Sequence, residues 1–304
     1  MSELLLETRE LIKAYGRQRA VDRVSVHIQK GAIYGLIGRN GAGKTTFLKM
    51  ISGLAKPDSG ALALFGYQGQ ELSKIRQRVG CLIEGPGLYP HLSAEDNLNL
   101  KCMFMGIHKK GYVAELLSMM GLYEARRKKA GKFSLGMKQR LGIALALVGQ
   151  PDLLVLDEPI NGLDPQGIAE VRETLIKLNE DHRITMIISS HILEELSKIS
   201  THYGIIDHGC LLQEISREEL MKQCGERIEI AAEAPERMLP LLDSMGFHDY
   251  QMIDGEKLYI YERLEDAPLV NQMLVQHGIF VKSVSVTRGD LENYFIRMTG
   301  GGKQ

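Results

Sequence analysis

The chain has 304 residues, enough for one large domain or two modest ones. A net charge of −1, with 44% hydrophobic and 25% charged residues, excludes a global basic field for nucleic acid and fits a globular protein. The four cysteines are widely spaced, no basic-then-apolar leader follows Met1, and no apolar run approaches about 18 residues. The expectation is therefore reduced thiols, no signal peptide and no membrane span.

In chain order, Val24, Val26 and Ile28 alternate with polar residues, the pattern of a half-buried strand. Residues 32–37 form a short apolar run that reads as a buried strand, and residues 46–51 read as the start of a helix. Between them stand Gly38, Arg39, Asn40, Gly41, Ala42, Gly43, Lys44 and Thr45, followed by Thr46. The run matches G-x-x-x-x-G-K-[ST], a loop whose amides cradle phosphates while the lysine reaches the β/γ oxygens and the hydroxyl binds Mg²⁺. A strand, a glycine turn and a helix N-terminus together aim free N–H groups and a dipole at an anion. A chance glycine-rich turn is the competing reading; the flanking strand and helix argue against it, so a nucleotide site is expected here.

Residues 56–60 form a turn, followed by a strand at 61–65 and a further core strand at 79–83. From about Ser93 to Gln150 the pattern is helical, with Met103, Met105, Met119 and Met120 at apolar positions. They read as adaptable core, with a partner-facing surface as the alternative. Residues 153–156, 185–188 and 203–206 are three more apolar runs separated by helical segments, which predicts a mostly parallel sheet. Asp157 and Glu158 stand at the exit of the first. In P-loop enzymes an aspartate there helps to hold Mg²⁺, and a following glutamate can polarise the attacking water. Arg126, Arg127, Lys128 and Lys129 form a basic run, read as a solvated face or a contact with an anionic membrane. His27, His91 and His182 have no comparable context and read as surface or core residues.

Composition shifts after about Arg217. Strand patterns at 228–230, 247–253, 258–261 and 279–286 surround helical patterns at 236–245 and 267–277, with Asp254-Gly255 as a hairpin turn. The order strand, helix, strand, strand, helix, strand predicts a small ferredoxin-like domain. A last helix near 290–298 places Leu291, Tyr294, Phe295 and Met298 on one face. This region carries no catalytic signature. The expected domains are 1–220 and 221–304.

The segment Phe133-Ser134-Leu135-Gly136-Met137-Lys138-Gln139-Arg140 resembles the signature sequence of ABC-transporter ATPases, and it lies just upstream of the Asp157-Glu158 strand. Tyr15 resembles that family's adenine-stacking aromatic, with a buried core tyrosine as the alternative. Asn161-Gly162-Leu163-Asp164 resembles the loop joining two sites, and Ser189-Ser190-His191 the switch histidine. The resemblance covers residues 1 to about 220. It implies an α/β fold: a P-loop ABC ATPase domain with a mixed-sheet core and a helical subdomain, ahead of the small C-terminal α+β domain. It also implies ATP and Mg²⁺ as cofactors, with nucleotide sandwiched between two such domains, in a homodimer or with a paired ATPase subunit. The partner would be a separate membrane permease, holding the chain at the cytoplasmic face of the membrane. Carried over, Lys44, Glu158 and His191 are catalytic; Tyr15, residues 38–46, Glu84, Ser134, Gly136 and Asp164 contact nucleotide; Thr45, Asp157 and Glu84 face the metal. The Ser134 hydroxyl and the Gly136 amide suit a γ-phosphate as a helix N-terminus does, and a near-neutral imidazole suits the positioning of water.

Two departures from the family pattern stand out. Leu135 and Met137 replace the usual glycine and glutamine and make the signature loop bulkier. Glu84 stands where the family usually carries glutamine, and residues 82–92 resemble the variant loop of bacitracin- and lantibiotic-resistance exporters. That likeness implies a peptide-antibiotic cargo. Glu84 is expected to add negative charge near Mg²⁺, strengthening a metal contact while repelling γ-phosphate, with a surface glutamate as the alternative. Other readings are a transporter for another cargo, a soluble ABC ATPase acting on ribosomes or DNA, and an ATP sensor. One phosphate loop and no sustained heptads weigh against the ribosome and DNA types; Asp157, Glu158 and His191 weigh against a sensor without hydrolysis.

Overall fold

In the computed structural model, which describes residues 3–232, 235–253, 257–287 and 291–299, the N-terminal part builds two sheets around one helix. Its elements are β1 (Leu4–Tyr15), β2 (Gln18–Val24), β3 (His27–Gln29), β4 (Ile33–Ile37), α1 (Lys44–Ser52), β5 (Ser59–Leu64), β6 (Tyr67–Gln68), α2 (Leu72–Ile75) and β7 (Val79–Leu82). The strand β1, not anticipated from the sequence, pairs antiparallel with β2, β3 and β5. The alternation Val24, Val26, Ile28 is thereby divided between two strands, although all three side chains are buried.

Helix α1 buries Phe47, Leu48, Met50 and Ile51 in a core shared with Leu6, Val24 and Ile28 of the antiparallel sheet and with Leu36 and Val155. Each such side chain contributes about 1.5–3 kcal/mol on burial. Packing from two sides fixes the helix axis, and with it the position of the helix N-terminus at Lys44.

The helical segment is α3 (Ala94–Phe104), α4 (Tyr112–Met119) and α5 (Leu135–Leu147). Ser93 and Asp96 form a capping box on α3, and the Ser134 hydroxyl caps α5 by accepting from the Met137 amide at 3.3 Å. The methionines divide: Met120 is core, whereas Met103 is exposed beside exposed Phe104.

Then follow β8 (Leu153–Asp157), α6 (Pro165–His182), β9 (Thr185–Ser190), α7 (Leu193–Ser197), β10 (His202–Asp207) and β11 (Cys210–Ser216). A six-stranded sheet runs β11-β10-β4-β9-β8-β7, and its pairs β10/β4, β4/β9, β9/β8 and β8/β7 are parallel. Both β4 and β8 are buried along their whole length, which is why their sequences read as unbroken apolar runs. The register pairs Ile37 with Ser190, Asp157 with Ser189 and Leu82 with Leu156. The carboxyl ends of four strands are therefore level, and an open α/β sheet binds ligands at that edge.

The chain divides into compact units at Met1–Ile215 and Ser216–Gln304, slightly ahead of the expected boundary at 220. The second unit holds α8 (Arg217–Gln223), β12 (Arg227–Ala232), α9 (Leu239–Ser244), β13 (Tyr250–Ile253), β14 (Lys257–Ile260), α10 (Ala267–Gln276), β15 (Val281–Thr287) and α11 (Leu291–Met298). Its sheet runs β13-β14-β12-β15 with every neighbour antiparallel, an order compatible with the ferredoxin-like expectation. Ile228, Ile230, Phe247, Leu258, Ile260, Val270 and Leu274 give it a core of its own. The turn expected at Asp254-Gly255 lies outside the described residues.

Candidate nucleotide site

The turn from β4 into α1 can be built only with glycine where it is tightest. Gly43 has φ 102°, and a Cβ there would fall 2.2 Å from the Ala20 carbonyl oxygen. The loop lines a cavity of about 450 Å³ formed by residues 39–46 together with Gln18, Arg19, Ala20, Glu158, His208 and Gly209. A larger cleft of about 580 Å³, lined by Arg76, Cys81, Gly87 and Phe104 among others, contains none of the loop residues. Volume does not decide between the two; the helix N-terminus and its lysine do.

Lys44 is buried and donates from Nζ to the carbonyls of Gly38 at 2.7 Å and Arg39 at 3.2 Å. The same ammonium lies 3.2 Å from Glu158 Oε1. The other carboxylate oxygen, Oε2, is 2.8 Å from His191 Nδ1. Glu158 thus bridges the end of β8 to the phosphate loop on one side and to the end of β9 on the other. Its φ of 50° lies in the left-handed region, which costs a non-glycine residue about 1–3 kcal/mol. The turn is held by its amide, which donates to Ser189 Oγ at 3.0 Å and to the Ser189 carbonyl at 3.2 Å.

One residue earlier, Asp157 Oδ2 accepts from Thr45 Oγ1 at 2.8 Å and Oδ1 accepts from Ser189 Oγ at 2.6 Å. A hydroxyl and a carboxylate in contact are hard oxygen donors of the kind Mg²⁺ takes. Thr45 and Asp157 are thus the residues that would hold such a cation. Beyond His191, α7 is fastened to α6. Burial pushes the Glu195 carboxyl up, but hydrogen bonds from Lys198 and Arg172 outweigh it and hold the pKa below the ordinary glutamate value.

The remaining expected residues lie elsewhere. Tyr15 is exposed and stands cross-strand from Gln18, which lines the cavity; Lys13 Nζ sits 5.5 Å from its ring centre. A buried core tyrosine is therefore excluded. Asp164 caps α6 by accepting from the Gly167 amide at 3.0 Å. Ser134 and Gly136 are not among the cavity residues. The signature helix is tied to α6 by Arg140, 3.0 Å from Glu170, and a Cβ at Gly136 would meet only Gly167 and Leu163, at 3.8 and 3.9 Å. Among the described residues outside its own helix, nothing requires glycine there.

Glu84 departs most from expectation. Its Oε1 is bound by Lys49 Nζ at 2.5 Å, and it borders a cleft with Gly85, Pro86, Leu88, Ala130 and Lys138 instead of the phosphate cavity. Lys49 lies one helical turn beyond Thr45, so the carboxylate is captured by the nearest cation before it reaches the Thr45–Asp157 pair. Sequence reasoning missed Gln18, Arg19, Ala20, His208 and Gly209. They come from β2 and the β10–β11 turn, joined through Asp22 N to Gly209 O at 2.8 Å and Gly209 N to Ala42 O at 2.9 Å, contacts with no local sequence mark.

Residues 21–161 match the family described as ABC transporter. A bacitracin transport ATP-binding protein of Bacillus licheniformis is 41% identical over 300 residues, covering 98% of each chain. A lantibiotic transport ATP-binding protein of Streptococcus pyogenes is 41% identical over 211 residues, covering 69% of this chain and 90% of its own. Among solved structures, a dimeric ATP-binding cassette in a post-hydrolysis state with ADP and Pi superposes with TM-score 0.64 at 26% identity, covering 70% of this chain and 98% of its own.

Proposed function

This chain belongs to the ABC transporter ATP-binding proteins, and from that premise we propose that it powers the export of a peptide antibiotic of the bacitracin class. It hydrolyses ATP to drive transport by a separate permease. The bacitracin class is favoured over the lantibiotic class because the bacitracin relative matches through the second unit, whereas the lantibiotic match spans 211 residues. The test is expression of the whole transporter in a sensitive host, with survival scored against bacitracin and against a lantibiotic. Resistance to neither, with the complex assembled and hydrolysing ATP, removes the cargo assignment.

The observation that carries the catalytic reading is Glu158 held between Lys44 and His191 beside the phosphate loop. In that reading the loop amides and Lys44 bind the β and γ phosphates and draw the ammonium away from Glu158. The freed carboxylate accepts a proton from the attacking water, and His191 keeps both in line. Thr45 and Asp157 would hold Mg²⁺, which when bound neutralises charge between the β and γ oxygens. Tyr15 supplies a face for adenine. Glu84 would face the metal only on release from Lys49.

Ser134 and Gly136 act on the nucleotide of a second ATPase subunit, which accounts for a glycine that no described neighbour outside its helix requires. Asp164 caps α6 and reaches across the same interface. In Glu158→Gln protein, ATP should shift scattering mass from monomer to dimer, and Ser134→Arg should prevent the shift; a monomer with full activity at every concentration defeats the arrangement. Among the described residues no helix is long and apolar enough to cross a membrane. The likeness to transport ATP-binding proteins is what supports a place at the cytoplasmic face, held by a permease.

A further inference from the structure

We propose that Ser189 is a positioning residue for hydrolysis, one hydroxyl setting both the metal-facing carboxylate of Asp157 and the turn that aims Glu158. The inference rests on the catalytic reading above and extends it to a residue with no assigned role.

Ser189 is fully buried at the end of β9 and pairs in register with Asp157 on the neighbouring strand. Its Oγ is 2.6 Å from Asp157 Oδ1 and 3.0 Å from the Glu158 amide nitrogen. A hydroxyl has one proton. An ionised carboxylate can only accept and an amide can only donate, so the proton goes to Asp157 and an oxygen lone pair receives the amide. Both directions are therefore fixed without choice of rotamer.

The two carboxylate oxygens of Asp157 have separate donors, Thr45 on Oδ2 and Ser189 on Oδ1. When the Thr45 hydroxyl turns toward a cation, the Ser189 bond remains and keeps the carboxylate from swinging. At Glu158 the same hydroxyl secures the amide of a residue in left-handed conformation, φ 50°, where side-chain direction depends on the turn holding its shape. His191 lies two residues further along the chain. A shift of Ser189 thus moves the metal-facing group, the base and the switch histidine together.

The experiment compares Ser189→Thr, Ser189→Val and Ser189→Ala in the full chain, with Glu158→Gln alongside. Threonine and valine have the same shape and differ by the hydroxyl. Four quantities are read: hydrolysis rate, Mg²⁺ concentration for half-maximal rate, binding of a fluorescent ATP analogue with and without Mg²⁺, and thermal midpoint. Ser189→Thr should stay within about threefold of the parent, while Ser189→Val and Ser189→Ala lose roughly tenfold to a hundredfold in rate, the range for a lost bond to a charged group. Both should need more Mg²⁺ and lose the gain in nucleotide affinity that Mg²⁺ gives, while metal-free binding stays within about twofold.

Valine matching threonine in rate and Mg²⁺ dependence overturns the proposal. So does a loss in which metal-free binding and thermal midpoint fall in parallel with rate, which marks packing alone. If valine lowers the thermal midpoint, the smaller alanine carries the comparison. Should Glu158→Gln retain turnover, the catalytic reading itself fails; a dead Glu158→Gln beside an active Ser189→Val defeats only the role of Ser189.

Discussion

The ends of β7 and β8 carry the same residue type in the same backbone region, with opposite surroundings. The strands are parallel neighbours, Leu82 beside Leu156, and each is followed by a glutamate with positive φ, Glu84 at 61° and Glu158 at 50°. The Glu158 side chain is 19% exposed and bound at both oxygens, by Lys44 and by His191. The Glu84 side chain is 64% exposed and bound by Lys49. An exposed pair of that kind is worth about 0–1 kcal/mol, so Glu84 can exchange partners at little cost, whereas Glu158 is fixed in direction. Enclosure, not residue type, separates a carboxylate held at both oxygens from one free to change partners.

The hardest test of this contrast is Glu158→Gln. Turnover, measured as phosphate release, should fall by about 10²-fold or more while equilibrium ATP binding persists, because the phosphate and metal contacts remain. Near-normal turnover would remove Glu158 from the role of base. Lys44→Ala acts on the fixed side of the comparison from the other direction. It should weaken ATP binding by roughly tenfold to a hundredfold, read by titration, since it removes a charged donor to phosphate; unchanged affinity would break the assigned role. The smallest effect is expected from Glu84→Gln, which should reduce hydrolysis by no more than a few-fold and transport by more. Paired assays of isolated subunit and resistant cells sharpen the comparison, and no change in either makes Glu84 a bystander.

The parts legible in the sequence were those that chemistry forces to be contiguous. A phosphate loop needs its glycines and lysine within one turn, and a strand-end Asp-Glu pair needs no distant partner to be noticed. The buried strands β4 and β8 were readable because burial on both faces leaves an apolar run. Strand β1 went unread because it mixes buried Leu5, Leu6 and Leu11 with charged Glu7, Arg9 and Glu10, and a register shift breaks its alternation. The capture of Glu84 by Lys49, 35 positions away, and the double duty of Ser189 arise only when strands and helix are brought side by side. The His208–Gly209 turn lines the cavity for the same reason.

The contact of Lys44 with Glu158 bears on selectivity among small cellular anions. The buried ammonium faces two carbonyls and a carboxylate. An inorganic phosphate entering alone must displace Glu158 to gain one cation, and then endures repulsion from the carboxylate it displaced. A nucleoside triphosphate spreads several charges along the loop amides and arrives with a divalent cation. Lys44 and Glu158 therefore meet an incoming anion as a pair, and in a displacement titration Glu158→Gln should let inorganic phosphate compete with ATP at lower concentration than it does in the parent chain.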